Sequence, residues 1–269
     1  LNLNVNNYTW LMKIATFDNG ANVLNVSAYN GKEYAYAKVN IKIKRNVPID
    51  KGPGFGNCYN HVGDFGGPGN KPGKFRKPYY LQVSNDRRVF VTDSTLNRVS
   101  VFDHKGKFLF SFGKQGSGAG QFDNPVGICI YKNNKIFVSD YYNRRVGVFS
   151  IKGKFLKFFY GKGIREDNRF KLTGGVAVNN IGELFVVDFD GHKIFKFDTD
   201  GNFKLTFGYK GRGPGQLNNP TGITISLDGF VYVTDKKNDR IVVFERNGKY
   251  SFDFGRTGSG RGGFARPMG

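Results

Sequence analysis

Two short motifs recur along the chain at one nearly constant interval. Five Phe/Tyr-Gly dipeptides follow one another at steps of 47, 48, 47 and 47 residues, ending at Gly66, Gly113, Gly161, Gly208 and Gly255. Four Val-x-Asp tripeptides keep the same spacing, with steps of 47, 48 and 47 residues, and they end at Asp93, Asp140, Asp188 and Asp235. Because the two motifs are unrelated and keep the same period, the chain contains duplicated structural units.

Other positions keep the same spacing from the repeated aspartate. A basic residue follows it by five positions, a phenylalanine by nine and a glycine by thirteen. A proline precedes it by fifteen positions in three of the units, and Thr173 takes that place in the third. Residues 264–269 repeat the pattern of residues 122–127, so we interpret them as the beginning of a fifth unit.

Each unit has the pattern of four short strands. In the second unit these are predicted at residues 127–131, 135–139, 146–149 and 155–159. Asn133-Asn134 and Lys152-Gly153 are typical of turns, because Asn and Gly accept a positive φ at low cost. Segments such as Phe230-Val231-Tyr232-Val233 are apolar at every position, which is expected of strands covered on both faces. Four-stranded units can be covered in this way by packing side by side around an axis, so the predicted fold is an all-β propeller.

The combination of Pro-x-Gly-Ile, Val-x-Asp and a basic patch resembles NHL repeats. The patch occurs as Asn143-Arg144-Arg145-Val146, Gly191-His192-Lys193-Ile194 and Asn238-Asp239-Arg240-Ile241. The resemblance covers residues 61–269 and rests on the shared spacing. The chain departs from the pattern at Thr173, at Tyr80, which stands in place of the glycine, and at Leu96-Asn97-Arg98, where the Asn is displaced by one position.

The resemblance implies a propeller of six blades. Six units of this length need roughly 280 residues, whereas residues 61–269 hold four full repeats and partial ones. We therefore expect one or two blades to lie outside this sequence and the propeller to be incomplete at its C-terminal end.

The first 45 residues do not follow the repeat. Residues 19–28 and 37–44 alternate between apolar and polar, which predicts strands, and Asn30-Gly31 between them predicts a hairpin. This pattern is similar to the last strands of an Ig-like module. The predicted organisation is a partial Ig-like β-sandwich segment over 1–45, a linker over 46–60 and the NHL-repeat propeller over 61–269.

Basic residues outnumber acidic ones, and the repeat predicts where many of them lie. The chain has 41 Lys and Arg against 21 Asp and Glu, a formal net charge of +20. In an up-and-down blade, the loop between the second and third strands lies on the same face as the connection between blades. That face gathers basic residues and the aromatic residues that follow the aspartates. The predicted ligand-binding residues are Arg98, Tyr141, Tyr142, Arg144, Arg145, Phe189, Lys193, Lys236, Lys237 and Arg240.

Such a face suits an anionic partner, since phosphates pair with cations and sugars or bases pack on aromatic rings. The predicted partner is a protein or an anionic polymer, either a glycan or RNA. A second interpretation stays open, in which the basic charge only keeps the surface soluble, because lysines such as Lys105 and Lys152 are expected on the opposite face.

The sequence gives little support to catalysis. Its three histidines, His61, His104 and His192, form no metal-binding or nucleophile-activating pattern. We therefore expect no catalytic residue, no metal and no cofactor. The Asp and Arg/Lys pair present in every unit is interpreted as a structural pin across a hairpin. No apolar run approaches the roughly 20 residues of a membrane span, so no membrane insertion is expected.

The leading hypothesis is a non-enzymatic binding module of a secreted or cell-surface protein. The alternative is a cytoplasmic RNA-binding NHL protein, which predicts that alanine at Tyr141, Tyr142, Arg144 and Arg145 weakens binding of single-stranded RNA. A second alternative, implied by the resemblance, is a lyase or hydrolase whose metal site lies in the missing blades. The sequence carries no signal for the oligomeric state.

Overall fold

A computed structural model of the chain describes the backbone of residues 9–16, 22–29 and 34–41, and all atoms of residues 64–132, 134–161 and 169–268. The chain divides into two compact units, residues 1–67 and residues 68–269. The predicted linker over 46–60 and the hairpin signal Asn30-Gly31 lie outside the described residues.

The first unit contains a three-stranded antiparallel sheet. Its strands are β1 (Thr9–Thr16), β2 (Asn22–Tyr29) and β3 (Tyr34–Ile41), and they pair in the order β1-β2-β3. β2 and β3 overlap the two segments whose alternating pattern predicted strands. The assignment of this sheet to an Ig-like module stays a prediction.

The second unit contains four sheets of four antiparallel strands, and each sheet is one sequence repeat. Blade one comprises β4 (Pro78–Val83), β5 (Val89–Asp93), β6 (Arg98–Phe102) and β7 (Phe108–Phe112). Blade two comprises β8 (Pro125–Tyr131), β9 (Lys135–Asp140), β10 (Arg145–Ser150) and β11 (Phe155–Phe159). Blade three comprises β12 (Thr173–Val178), β13 (Glu183–Asp188), β14 (Lys193–Asp198) and β15 (Phe203–Phe207). Blade four comprises β16 (Pro220–Ile225), β17 (Val231–Asp235), β18 (Arg240–Phe244) and β19 (Tyr250–Phe254).

Three short elements lie outside the four blades. A 3-10 helix, Lys236–Asn238, follows β17, and a parallel pair of short strands, β20 (Arg256–Thr257) and β21 (Gly263–Phe264), follows β19. The strands predicted for the second repeat agree with β8 to β11 to within two residues at each end. The position of the hairpin between β10 and β11 was predictable because its turn contains a glycine. Gly153 adopts a positive φ of 78° there.

The first strands of successive blades lie side by side, β4 against β8, β8 against β12 and β12 against β16. Glycine allows this close approach. A Cβ atom on Gly127 would lie 2.8 Å from the carbonyl oxygen of Gly174, and one on Gly175 would lie 2.8 Å from that of Thr221. The blades are therefore arranged around the edge formed by their first strands, and the predicted all-β propeller is confirmed.

The hydrophobic core lies between neighbouring blades rather than inside any one of them. Three buried clusters fill the spaces between blades one and two, two and three, and three and four, and each contains fully buried phenylalanines, such as Phe90, Phe195 and Phe185. This placement explains why the second and third strands are apolar on both faces.

The start of the fifth repeat lies beside the first strands of blades four and one. The hydroxyl of Thr221 donates to the carbonyl of Pro267 over 3.2 Å, and the hydroxyl of Tyr80 donates to that of Met268 over 3.0 Å. Tyr80 stands where the next three blades have glycine, so its ring occupies space that the other blades leave to backbone. A total of six blades stays a prediction.

Candidate functional site

The repeated aspartates fasten the beginning of each blade. Each carboxylate is buried at the end of the second strand and accepts hydrogen bonds from backbone N–H groups that precede the first strand of its blade. The donors are Arg76 and Lys77 for Asp93, Asp123 for Asp140, Lys171 and Leu172 for Asp188, and Asn218 for Asp235. The aspartates therefore position the residues that begin the first strands, which line the centre of the propeller.

Arg145 continues this network into the loop between blades. Only 3% of the residue is exposed, and its Nε donates to Asp140 over 2.9 Å. The other guanidinium nitrogens donate to the carbonyls of Ser117, Gly118 and Gln121 in the glycine-rich loop that enters the blade. Burial raises the pKa of the Asp140 carboxyl, and hydrogen bonds from the Asp123 backbone, the Asn143 side chain and Arg145 oppose that rise.

The corresponding arginines of blades one and four anchor the equivalent loops that enter their own blades. Arg240 donates to Asp235 and to the carbonyls of Gly213 and Gln216, at 2.8 to 3.0 Å. Arg98 donates to three loop carbonyls, those of Asn70, Lys71 and Lys74. Backbone carbonyls hold the guanidinium groups of Arg98, Arg145 and Arg240, and the last two also pair with Asp140 and Asp235. The predicted role of these three arginines in ligand binding stays a prediction. The ion pairs Arg145–Asp140 and Arg240–Asp235 agree with the predicted structural pin in blades two and four.

A cavity of about 180 Å³ opens where the first strands begin, and we call it the axial cavity. All four blades contribute to it. Its walls are the residues at the start of the first strands and those that follow the repeated aspartates. They are Lys77, Tyr79, Tyr80, Asn124, Val126, Tyr141, Tyr142, Gly174, Gly175, Phe189, Thr221 and Lys236.

Aromatic rings form much of the cavity wall. The rings of Tyr141 and Tyr142 meet edge to face, with centroids 5.0 Å apart, and Tyr141 also contacts Phe189 with centroids 6.1 Å apart. Tyr79 and Tyr80 stack at 5.8 Å on the blade-one side. Burial raises the pKa of Tyr141, Tyr79 and Tyr80, so these phenols stay neutral hydrogen-bonding groups at neutral pH.

Two ammonium groups accompany the rings. Nζ of Lys77 lies 6.0 Å from the centroid of Tyr79, and Nζ of Lys236 lies 5.9 Å from the centroid of Phe189. Burial lowers the pKa of Lys236, and the positive charges of Arg266 and Lys237 lower it further. The twelve residues that line the axial cavity include these two lysines and no Asp or Glu. The cavity lining is thus aromatic and basic.

Four of the ten predicted ligand-binding residues line the axial cavity: Tyr141, Tyr142, Phe189 and Lys236. Tyr142 is the most open of the four tyrosines there, with 57% of its surface exposed. Arg144 and Lys237 are exposed on the same loops, next to the cavity-lining residues. Lys193 is half-buried, and its Nζ lies 5.0 Å from the centroid of Phe195.

Sequence reasoning missed the cavity residues at the start of the first strands: Lys77, Tyr79, Tyr80, Asn124, Val126, Gly174, Gly175 and Thr221. Their positions within the sequence repeat could have identified them. Each lies within two positions of Pro78, Pro125 or Pro220, or of Thr173 in the equivalent place, and in a propeller the start of the first strand borders the axis.

Within the described residues, no group of three or more His, Cys, Asp and Glu side chains is placed to hold a metal ion. The part of the chain that the structure describes also contains no helix long and apolar enough to cross a membrane.

These features define a class of protein, a propeller of four-stranded blades whose axial cavity has a basic, aromatic lining. Two family models match the chain. Residues 74–158 match DUF5128, described as "6-bladed beta-propeller", and residues 217–244 match the NHL repeat. The expected resemblance to NHL-repeat β-propeller proteins is therefore confirmed, and among curated proteins no sequence matches the chain.

Solved structures of the same fold are distant in sequence. Virginiamycin B lyase from Staphylococcus aureus, a catalytically inactive variant with quinupristin, is 17% identical with a TM-score of 0.55, covering 100% of this chain and 75% of that one. A protein of unknown function from Bacteroides caccae is 12% identical with a TM-score of 0.54, covering 91% and 81%. Hydrazine synthase from Kuenenia stuttgartiensis is 14% identical with a TM-score of 0.51, covering 69% and 52%. At these identities the likeness concerns the fold.

Proposed function

We propose that this chain is a binding module whose axial cavity and surrounding loops bind an anionic ligand, as part of a secreted or cell-surface protein. The observation that carries the proposal is the pairing of Lys77 and Lys236 with aromatic walls and no lining carboxylate. A partly buried ammonium group without an opposite charge is unfavourable, as the lowered pKa of Lys236 reflects. An anionic group in the cavity relieves that cost.

The basic surface outside the cavity supports the same proposal. Arg144 and Lys237 are exposed on the loops that carry Tyr142 and Lys236. Charges placed around an aromatic site attract an anion over long range and raise the rate of encounter. The ligand is thus drawn to the face by exposed cations and held at the axis by rings and ammonium groups.

Chromatography on immobilised heparin, a polyanionic glycan, tests the proposal. The double variant Lys77→Gln/Lys236→Gln removes the two cavity cations. The double variant Lys152→Gln/Lys154→Gln is the matched control, since both lysines are exposed at the hairpin turn between β10 and β11, on the opposite face.

We expect the cavity variant to elute at clearly lower salt than the wild type and the control to elute close to the wild type. Both variants lose two positive charges. A difference between their elution salt concentrations therefore reports where the lost charges lie and not the change in net charge. Equal shifts of the two variants would mean that the attraction is non-specific, and no retention of the wild type would end the proposal.

RNA binding is the main rival. Because Arg145 anchors a loop, its removal confounds binding with folding, and the informative changes are those at Tyr141, Tyr142 and Arg144. Tighter binding of single-stranded RNA than of heparin, weakened by these changes, would replace the glycan proposal. Catalysis is a separate outcome: cleavage of quinupristin, present in the virginiamycin B lyase structure, would show that this chain is an enzyme.

A further inference from the structure

The size of the axial cavity limits what can enter it. A cavity of about 180 Å³ is smaller than the roughly 300–1,000 Å³ of sites that enclose drug-sized ligands. It therefore accommodates a single ring-sized group, such as one unit of a polymer whose remaining units stay outside. This narrows the anionic ligand to one that carries a ring and a negative charge within one unit.

The orientation of the rings distinguishes between kinds of ring. A flat nucleobase binds best between or upon parallel aromatic faces. Here the planes of Tyr141 and Tyr142 are inclined by 82° and those of Tyr141 and Phe189 by 54°, while Tyr79 and Tyr80 already stack on each other. Inclined rings offer no pair of parallel faces for a flat base, and they suit a non-planar ring that presents C–H groups in several directions, as a pyranose does.

The positive charges in the cavity lining favour a negatively charged ligand. Several aromatic rings around a small space often bind an organic cation, but the ammonium groups of Lys77 and Lys236 would repel one. They favour a carboxylate, which accepts charge-assisted hydrogen bonds from ammonium groups. Tyrosine hydroxyls and the side-chain amide of Asn124 supply neutral partners for sugar hydroxyls.

We infer that the axial cavity binds one acidic sugar residue, a uronic acid, with its pyranose ring against Tyr141 and Phe189 and its carboxylate near Lys77 and Lys236. This inference rests on the proposed function and specifies its ligand. The polymer that carries the sugar then follows the basic loops outside the cavity, through Arg144 and Lys237.

Isothermal titration calorimetry with small probes tests the inference. The probes are methyl glucuronoside, its neutral analogue methyl glucoside and adenosine 5′-monophosphate. We expect glucuronoside to bind the wild-type chain at least tenfold more tightly than glucoside, since the two probes differ in the carboxylate. We also expect it to bind more tightly than the nucleotide, whose base is flat.

Variants locate the binding. Lys236→Gln is expected to weaken glucuronoside binding at least tenfold, and Lys152→Gln is expected to leave it unchanged. Tyr141→Leu, which removes the ring, should weaken binding more than Tyr141→Phe, which keeps it. Unfolding curves for each variant show whether a loss of binding reflects a loss of folding.

Three outcomes would overturn the inference. They are equal binding of glucoside and glucuronoside, tighter binding of the nucleotide, and no binding of glucuronoside at millimolar concentration. If heparin retention still depended on Lys77 and Lys236 in any of these cases, the proposed function would stand and only the identity of the ligand would fail.

Discussion

Nδ1 of His192 accepts a hydrogen bond from the backbone N–H of Asn219, 3.0 Å away, and this bond joins blade three to blade four. The same contact recurs where Asn97 accepts from the N–H of Asn124 at 2.7 Å and where Asp239 accepts from that of Arg266 at 2.7 Å. These acceptors occupy one repeat position and all have a positive φ, between 52° and 56°. The side chain of His192 therefore links blade three to blade four, and we call this type of contact between blades the latch.

The latch predicts a pH dependence of stability. Burial lowers the pKa of His192, the charge of Lys210 lowers it further, and Asp190 opposes that effect. The folded state therefore binds the proton more weakly than the unfolded state. The stabilisation from this residue is present above the unfolded pKa of about 6.5 and is lost as the pH falls through the folded pKa.

Urea denaturation at pH 7.5 and pH 5.5 measures this loss. His192→Asn is the matched variant, because Asn97 performs the same contact at the equivalent position. We expect the wild type to lose more stability than the variant between the two pH values. The same loss in both proteins would exclude His192 as the source.

Arg144 takes the latch position in blade two, with a φ of 54°, and it is exposed. The side chain of arginine carries no hydrogen-bond acceptor, so it cannot form this latch. Its neighbour Arg145 is buried. Of these two adjacent arginines, Arg144 therefore lies on the surface and Arg145 has a structural role.

This contrast gives a stability prediction. Arg145→Ala leaves the buried Asp140 carboxylate without its ion-pair partner and the loop carbonyls without their donors, and should cost about 3–5 kcal/mol of unfolding free energy. Arg144→Ala should change stability by less than about 0.5 kcal/mol. Guanidinium denaturation of both variants checks the pair. Comparable costs would contradict the assignment of Arg145 as a loop anchor.

The turn glycine between the third and fourth strands provides another test. Gly153 has a φ of 78°, and a Cβ atom there would lie 2.7 Å from the ring of Phe112 in blade one. Gly153→Ala is expected to lower the unfolding free energy by about 1–3 kcal/mol, because it combines backbone strain with a clash between blades.

Gly260→Ala is the control, since a Cβ atom at Gly260 would meet nothing within 4 Å. Thermal unfolding should show a lower midpoint for the first variant and little change for the second. If both midpoints moved together, the packing of Phe112 on the Gly153 turn would not contribute to stability.

Most of the fold could be predicted from the sequence repeat. Two motifs of one period located the blades, and turn glycines such as Gly153 located the hairpins to within a residue or two. The four cavity residues found from sequence, Tyr141 among them, follow the repeated aspartates and so shared a predictable face.

What escaped prediction depends on contacts between distant segments. The repeat pairs Arg145 with Asp140, but it does not show that Arg145 also donates to carbonyls from Ser117 to Gln121, 24 to 28 residues earlier. Lys77 and Tyr79 look like ordinary residues before a strand. They become cavity residues only when the four first strands meet at the axis.

The central claim is that an anionic ligand occupies the axial cavity, and hydrogen–deuterium exchange with and without a heparin oligosaccharide measures it most directly. We predict slower exchange for backbone amides around residues 77–80, 124–126, 141–142, 189–190 and 236–237. We predict no change around residues 151–154 and 246–249, on the opposite face. Protection at those opposite turns, or none at the axis while the ligand is bound, would contradict the account.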